Sequence, residues 1–248
     1  MKTASILGVH FHAVTMDQAI DIAMGRLRAQ EKGYVVTPNP EIVELCRQDS
    51  AYMEIVNRAA LVLPDGIGII YAAKILGEQL QGKVAGVEFA EHLAAAMAKE
   101  KMRLFLLGAK PGVAEQAGAN LSAKYPGLVI AGTHDGYFTD PQQAVDAVNR
   151  CGGADVVFVC LGAPKQEKFM AEYMDELHAT LLCGLGGSLD IFAGVSKRAP
   201  DLFIKLGLEW FYRLLKQPSR IGRMMKLPKF LLIVIRERLF GRKGKSSK

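Results

Sequence analysis

The segment Leu61-Val62-Leu63-Pro64-Asp65-Gly66-Ile67-Gly68 holds a single acid between a short apolar run and a helical run that continues to Lys74. If the apolar run is a parallel strand of an open α/β sheet, Asp65 faces the crevice beyond the strand ends, where ligands bind. An aspartate at a helix start is also a good N-cap, and on this segment alone the two readings stand level. Thr37-Pro38-Asn39-Pro40 adds two polar side chains on a loop stiffened by two prolines, the second of which suits the first turn of a helix. Thr37 and Asn39 therefore read either as pocket residues or as caps. Gly66 and Gly68 let a backbone approach a ligand closely, or serve plain packing on a sheet. Lys83, in a polar loop, could meet a phosphate, although a loop lysine is ordinarily solvated.

Two later clusters carry recognition chemistry. In Asp135-Gly136-Tyr137-Phe138 an aromatic beside a glycine can stack on a nucleobase. In Gly162-Ala163-Pro164-Lys165-Gln166-Glu167, backbone N–H groups and an amide at a helix start can bind diphosphate or sugar oxygens. The plainer alternatives are a core-edge aromatic at Tyr137 and a favourable first helical turn at Gln166 and Glu167.

Other chemistries are disfavoured. Gly108-Ala109-Lys110-Pro111-Gly112 lacks the spacing of a dinucleotide-binding turn, and Gly241-Arg242-Lys243-Gly244-Lys245-Ser246 lacks the spacing and the preceding strand of a P-loop. His10 and His12 share a strand face without a third ligand at suggestive spacing, so they read as ordinary strand histidines and no metal is expected. Cys46, Cys151, Cys160 and Cys183 are far apart and form no CxxC pair, which suggests neither zinc nor disulfides but a reducing cytosol. The beginning of the chain lacks the pattern of a signal peptide.

The elements that must position these residues follow from periodicity. Strands are expected over 6–11, 34–36, 61–63, 103–107, 128–131, 155–161 and 180–183. Helices are expected over 15–28, 41–47, 51–58, 87–99, 113–124, 140–150 and 166–177, the first opened by a Thr15/Gln18 capping box. Strands alternating with helices of this length predict an α/β fold, a Rossmann-like, mostly parallel sheet with helices on both faces. Three strands end in glycine, which suits a nucleotide-sized ligand across their carboxyl ends.

The charge is unevenly spread. Residues 197–248 hold 15 Lys/Arg against Asp201, Glu209 and Glu237, a net of +12, while residues 1–196 carry a net of −6. That contrast divides the chain into a catalytic domain over 1–196 and a basic amphipathic appendage over 197–248. Trp210, Phe211 and Leu214 among Arg213, Lys216, Arg220 and Arg223 have the composition of a helix lying in lipid headgroups. Residues 230–235 form an apolar run long enough to dip into a bilayer and too short to span it. A nucleic-acid-binding protein with a basic tail is the non-enzymatic rival, but an apolar stripe is out of place on a phosphate backbone.

Thr37-Pro-Asn39-Pro, Pro64-Asp65-Gly66-x-Gly68, Gly86-x-Glu88-Phe89, Leu106-Leu-Gly108, Gly136-Tyr137-Phe138, Gly162-x-Pro164-x-Gln166-Glu167 and Gly184-x-Gly186-Gly187-Ser188-x-Asp190 occur in this order. Together they resemble the WecG/TagA/CpsF family, glycosyltransferase family 26, over about residues 5–200. The resemblance implies inverting transfer of N-acetylmannosamine from a UDP donor to undecaprenyl-diphosphate-linked N-acetylglucosamine, as in teichoic acid or related surface polysaccharide synthesis. Its uronic acid or UDP-glucose is the alternative donor, and neither cofactor nor metal is required. By the motif match Asp65 is the general base, with Thr37 and Asn39 in the same pocket. Gly66, Lys83, Gly108, Tyr137, Gly162, Gln166 and Glu167 bind substrate. Lys83 stands where the family's arginine is expected, and lysine lacks the guanidinium fork. Arg213, Arg220 and Arg223 are expected to attract anionic lipid and close over the diphosphates. The expected partners are a UDP-sugar donor, a lipid-linked acceptor and an anionic membrane surface, with no nucleic acid and with homo-oligomerisation left open. The expected location is cytoplasmic, peripheral on the inner face of the cell membrane.

Overall fold

Six strands line up as one parallel sheet in the computed structural model of the chain, which describes residues 1–200, 203, 211–212 and 226–241. They are β3 (Gly33–Val36), β4 (Leu61–Val62), β5 (Arg103–Gly108), β6 (Val129–His134), β7 (Ala154–Cys160) and β8 (Ala179–Gly184), in the spatial order β4-β3-β8-β7-β5-β6. Successive side chains of a strand point to opposite faces, so each strand feeds two cores. Val36, Val62, Leu107, Val159 and Leu182 pack on one side, and Val35, Leu61, Leu106, Phe158 and Leu181 on the other. Burial on both faces explains why these runs are continuously apolar rather than alternating.

One expected strand is two. Residues 6–11 do not form a single element; β1 (Thr3–Ile6) and β2 (Val9–His12) pair antiparallel as a separate hairpin. The chain reverses at Leu7 and Gly8, both at positive φ (51° and 92°), the geometry of a two-residue turn matched to strand twist. His12 serves this hairpin rather than a metal: its Nδ1 accepts the backbone N–H of Val62 at 2.9 Å, covering the open edge of β4. Burial lowers the His12 pKa, and the charge of the chain's amino terminus adds to the effect.

The helices are α1 (Met16–Arg28), α2 (Pro40–Gln48), α3 (Ser50–Asn57), α4 (Ile67–Leu76), α5 (Gly86–Lys99), α6 (Val113–Lys124), α7 (Gln142–Arg150), α8 (Lys165–Tyr173) and α9 (Ser188–Phe192). The expected capping box is present, with Thr15 accepting from the Gln18 N–H and Gln18 from the Thr15 N–H. A further helix, α10 (Lys226–Phe240), packs on α4 and α2. Phe230 and Val234, one turn apart, are fully buried there, so the 230–235 run is not free to enter a bilayer as a whole. Leu232, Ile235, Leu239 and Phe240 remain exposed on the same helix. Among the described residues no helix is long and apolar enough to cross a membrane.

The strand order creates the crevice. After β5 the chain moves outward to β6, and after the adjacent β7 it moves the other way to β8, so the connections diverge above the β5/β7 boundary. Such a divergence at the carboxyl edge opens a ligand-sized cleft.

Candidate active site

Asp65 occupies the turn between β4 and α4 at that carboxyl edge, half-buried. It is not the helix cap. The N-cap of α4 is Gly66, at φ 87°, and no side chain bonds the first turn. Asp65 Oδ2 lies 3.4 Å from the backbone N–H of Gly86, the first residue of α5. A Cβ at Gly86 would sit 3.0 Å from Thr37 Oγ1, so any larger residue there would press on Thr37. Lys83, half-buried, lies in the loop that leads into this helix.

The residues around Asp65 are tied into a chain. Buried Thr37 donates its hydroxyl to the Gly184 carbonyl at 3.1 Å. Gln166 is buried against the same turn: its Oε1 accepts the Gly186 N–H at 3.0 Å and its Nε2 donates to Glu167 Oε1 at 2.7 Å. Glu167 is fully buried and turned away from the crevice, its other oxygen accepting from the Tyr52 hydroxyl at 2.8 Å. Burial raises the Glu167 pKa, although both bonds favour the carboxylate and oppose the shift. Tyr52 is the partner that sequence reasoning missed, since 115 residues separate it from Glu167 and no local pattern links them. Asn39 sits nearby as the cap of α2, its Oδ1 accepting from the Glu41 and Ile42 N–H groups at 2.9 and 3.0 Å.

A second group lines the β5/β7 end. Gly108 closes β5 at φ 129°, where a Cβ would lie 2.3 Å from the Cys160 carbonyl oxygen; no other residue fits. The Gly136 N–H bonds the Ala109 carbonyl at 2.9 Å and Asp135 Oδ1 accepts the Tyr137 N–H at 2.7 Å, which holds Tyr137 outward, 69% exposed. It is therefore no core-edge aromatic. Lys165 lies over the Phe138 ring at 4.1 Å and donates to the Gly136 carbonyl at 3.3 Å. The Gln166 N–H bonds the Gly162 carbonyl at 2.9 Å, joining this end to the Asp65 end. Arg213, Arg220 and Arg223 lie outside the described residues.

The electrostatics favour an anion. α4, α5, α6 and α8 begin at the carboxyl edge, and among the described residues none is capped by its own N-cap side chain, the first N–H of α5 facing Asp65 instead, whereas α1, α2 and α3 are capped by Thr15, Asn39 and Asp49. Uncapped N–H groups and helix dipoles so placed suit phosphate oxygens. Burial pushes the Cys160 thiol up to about 12, so it stays protonated and offers no nucleophile. Among the described residues no three His, Cys, Asp or Glu side chains come together as a metal set. A cavity of about 580 Å³ lies under the opposite sheet edge, between β6 and α7, but its lining of Phe105, Thr133, His134 and Arg150 includes no carboxylate.

The family model described as the glycosyl transferase WecG/TagA/CpsF family matches residues 4–244. The N-acetylglucosaminyldiphosphoundecaprenol N-acetyl-beta-D-mannosaminyltransferase of Bacillus subtilis strain 168 is 37% identical over 238 residues, covering 96% of this chain and 93% of its own. The enzyme of the same name from Bacillus spizizenii is 38% identical over 208 residues, covering 84% and 80%. That of Staphylococcus aureus strain MW2 is 35% identical over 228 residues, covering 91% and 89%.

Proposed function

The chain belongs to the glycosyl transferase WecG/TagA/CpsF family, and from that membership we propose that it moves N-acetylmannosamine from UDP-N-acetylmannosamine to undecaprenyl-diphosphate-linked N-acetylglucosamine. Asp65 takes the proton from the acceptor hydroxyl, whose oxygen attacks the anomeric carbon as the bond to the diphosphate breaks. The sugar inverts and UDP leaves with the bonding pair. A lone carboxylate suffices for this displacement, and the leaving charge is met by N–H groups and cations rather than by a second acid.

The observation that carries the reading is the position of Asp65: a half-buried carboxylate in the turn at the carboxyl edge of the sheet, outside its own helix α4 and facing the first N–H of α5. Four strand spacings separate β4 from β5, to whose end the Tyr137 loop is bonded through Gly136 and Ala109, roughly 19 Å at about 4.8 Å each. That span lets one nucleotide sugar reach from a uracil stacked on Tyr137 to a hexose beside Asp65. Gly108, Gly162 and Lys165 then flank the nucleotide, and Gly66 and Lys83 the sugar and diphosphate. Thr37 and Gln166 hold the Gly184–Gly186 turn, with Glu167 and Tyr52 positioning Gln166 from behind.

The reading divides the chain functionally into the 1–196 catalytic body and a 197–248 appendage that brings it to anionic lipid on the inner face of the membrane. Leu227 of α10 packs where a Cβ on Gly68 would stand, so this helix begins beside the Asp65 turn. Its exposed Leu232, Ile235, Leu239 and Phe240 suit a lipid surface rather than a nucleic-acid backbone. Arg213, Arg220 and Arg223 are assigned to the diphosphates on charge alone.

The test is to incubate the protein with a panel of UDP-sugars and a short-chain lipid-diphosphate N-acetylglucosamine and to weigh the products. One added N-acetylhexosamine from UDP-N-acetylmannosamine is expected. Transfer from UDP-glucose or the uronic acid alone would overturn the donor assignment.

A further inference from the structure

The first turn of α5 carries an ion pair that transfer by Asp65 does not require. Arg198, in the segment after α9, donates through Nη2 to Oε1 of Glu88, two residues beyond the Gly86 N–H that faces Asp65. Two helical residues rise about 3 Å, so Asp65 and Arg198 both meet the first turn of α5. Both partners are only about a quarter exposed, at 26% and 28%. Arg198 Nε is shut off from solvent and has no acceptor among the described residues.

A guanidinium has five N–H donors, and a buried one without an acceptor needs an explanation. Arg26 also has an unmet Nε, but it lies in the last turn of α1 and grips Glu31 and the Lys32 carbonyl, away from the crevice. Arg198 alone of the two is tied, through Glu88, to the first turn of α5 at the carboxyl edge, the helix whose first N–H faces the proposed base. There the part of the side chain that remains exposed, 26%, lets an oxyanion accept from the guanidinium's other N–H groups, a fork that lysine at position 83 cannot offer.

We propose that Arg198 is a diphosphate-binding residue of the transfer site, with Glu88 orienting its guanidinium toward the substrate. This rests on the glycosyl-transfer reading and adds a residue to it. Two substrates carry the required chemistry, the UDP donor and the lipid-linked acceptor. The contact stabilises the diphosphate without entering any bond-making step.

The experiment titrates UDP, and separately a short-chain lipid-diphosphate N-acetylglucosamine, into the full chain as wild type, Arg198→Ala, Arg198→Lys and Glu88→Gln, with melting midpoints alongside. Arg198→Ala should weaken binding of at least one ligand about tenfold or more, the loss expected for a charged hydrogen bond. Arg198→Lys, which keeps the charge and loses the fork, should fall between, and it carries the test if the alanine variant does not fold. Glu88→Gln, which keeps an acceptor for the guanidinium but loses the charge that orients it, should weaken binding less than Arg198→Ala does. Loss confined to UDP assigns the donor diphosphate, and loss confined to the lipid ligand assigns the acceptor. Wild-type affinity for both ligands in the Arg198 variants overturns the proposal while leaving the transfer reading intact. So does an equal loss of affinity and melting midpoint in Arg198→Ala and Glu88→Gln, which marks a purely structural pair. If wild type binds neither ligand, the transfer reading itself fails.

Discussion

The two ends of the crevice are built differently. At the Asp65 end nearly every polar group is engaged: Thr37 on Gly184, Gln166 on Gly186 and Glu167, Asn39 on the first turn of α2. At the β5/β7 end the side chains lie open, with Tyr137 exposed on a loop whose backbone, not its ring, is bonded. Bond-making needs groups held in place before the reactants arrive, because geometry accounts for much of the barrier. Holding a nucleobase needs a flat face with access. On the proposed reading, rate therefore belongs to one end and affinity to the other.

The largest expected effect breaks the first end alone. Asp65→Asn should lower turnover by about 10²–10⁴-fold, the usual worth of a general base, with UDP affinity unchanged by calorimetry. Near-wild-type turnover would place the base elsewhere. Tyr137→Ala should do the reverse, weakening UDP binding about tenfold through lost stacking while saturating turnover holds. A fall in turnover with UDP affinity intact would erase the distinction between the ends.

Smaller effects sharpen the contrast through pH. Glu167 is an acid whose folded pKa is raised, so the folded state holds its proton longer than the unfolded chain does. Stability should then decline as pH rises above the ordinary value of 4.5, and Glu167→Gln should flatten that decline in thermal melts. His12, outside the crevice, is a base whose folded pKa is lowered, so its contribution is complete above 6.5 and fades as pH falls below it. His12→Asn keeps an acceptor for the Val62 N–H without titrating, and its melting midpoint should vary less across that window.

Much of this was legible in the residues. Burial on both faces makes the inner strands continuously apolar, and the strand-turn-helix punctuation around Asp65 survives as β4, Gly66 and α4. The family was legible because its motifs recur in order. Other features depend on partners far apart in the chain. Nothing near Gln166 or Glu167 announces that Tyr52 bonds one and Gly186 the other. Asn39 was open between pocket and cap until its carbonyl was seen on two N–H groups of α2. The β1–β2 reversal escaped notice because leucine, not asparagine or aspartate, takes the first left-handed position of the turn. Glu88 belongs to the Gly86-x-Glu88-Phe89 motif, but Arg198 lies 110 residues away.

The central claim is that one nucleotide sugar spans both ends. Amide hydrogen exchange followed with UDP and then with UDP-N-acetylmannosamine tests it most directly. UDP should protect the segments around Gly108, Tyr137 and Gly162, and the complete donor should extend protection to the Asp65 turn and the start of α5. Protection confined to the β6/α7 cavity, or a sugar that adds nothing at Asp65, would contradict the account.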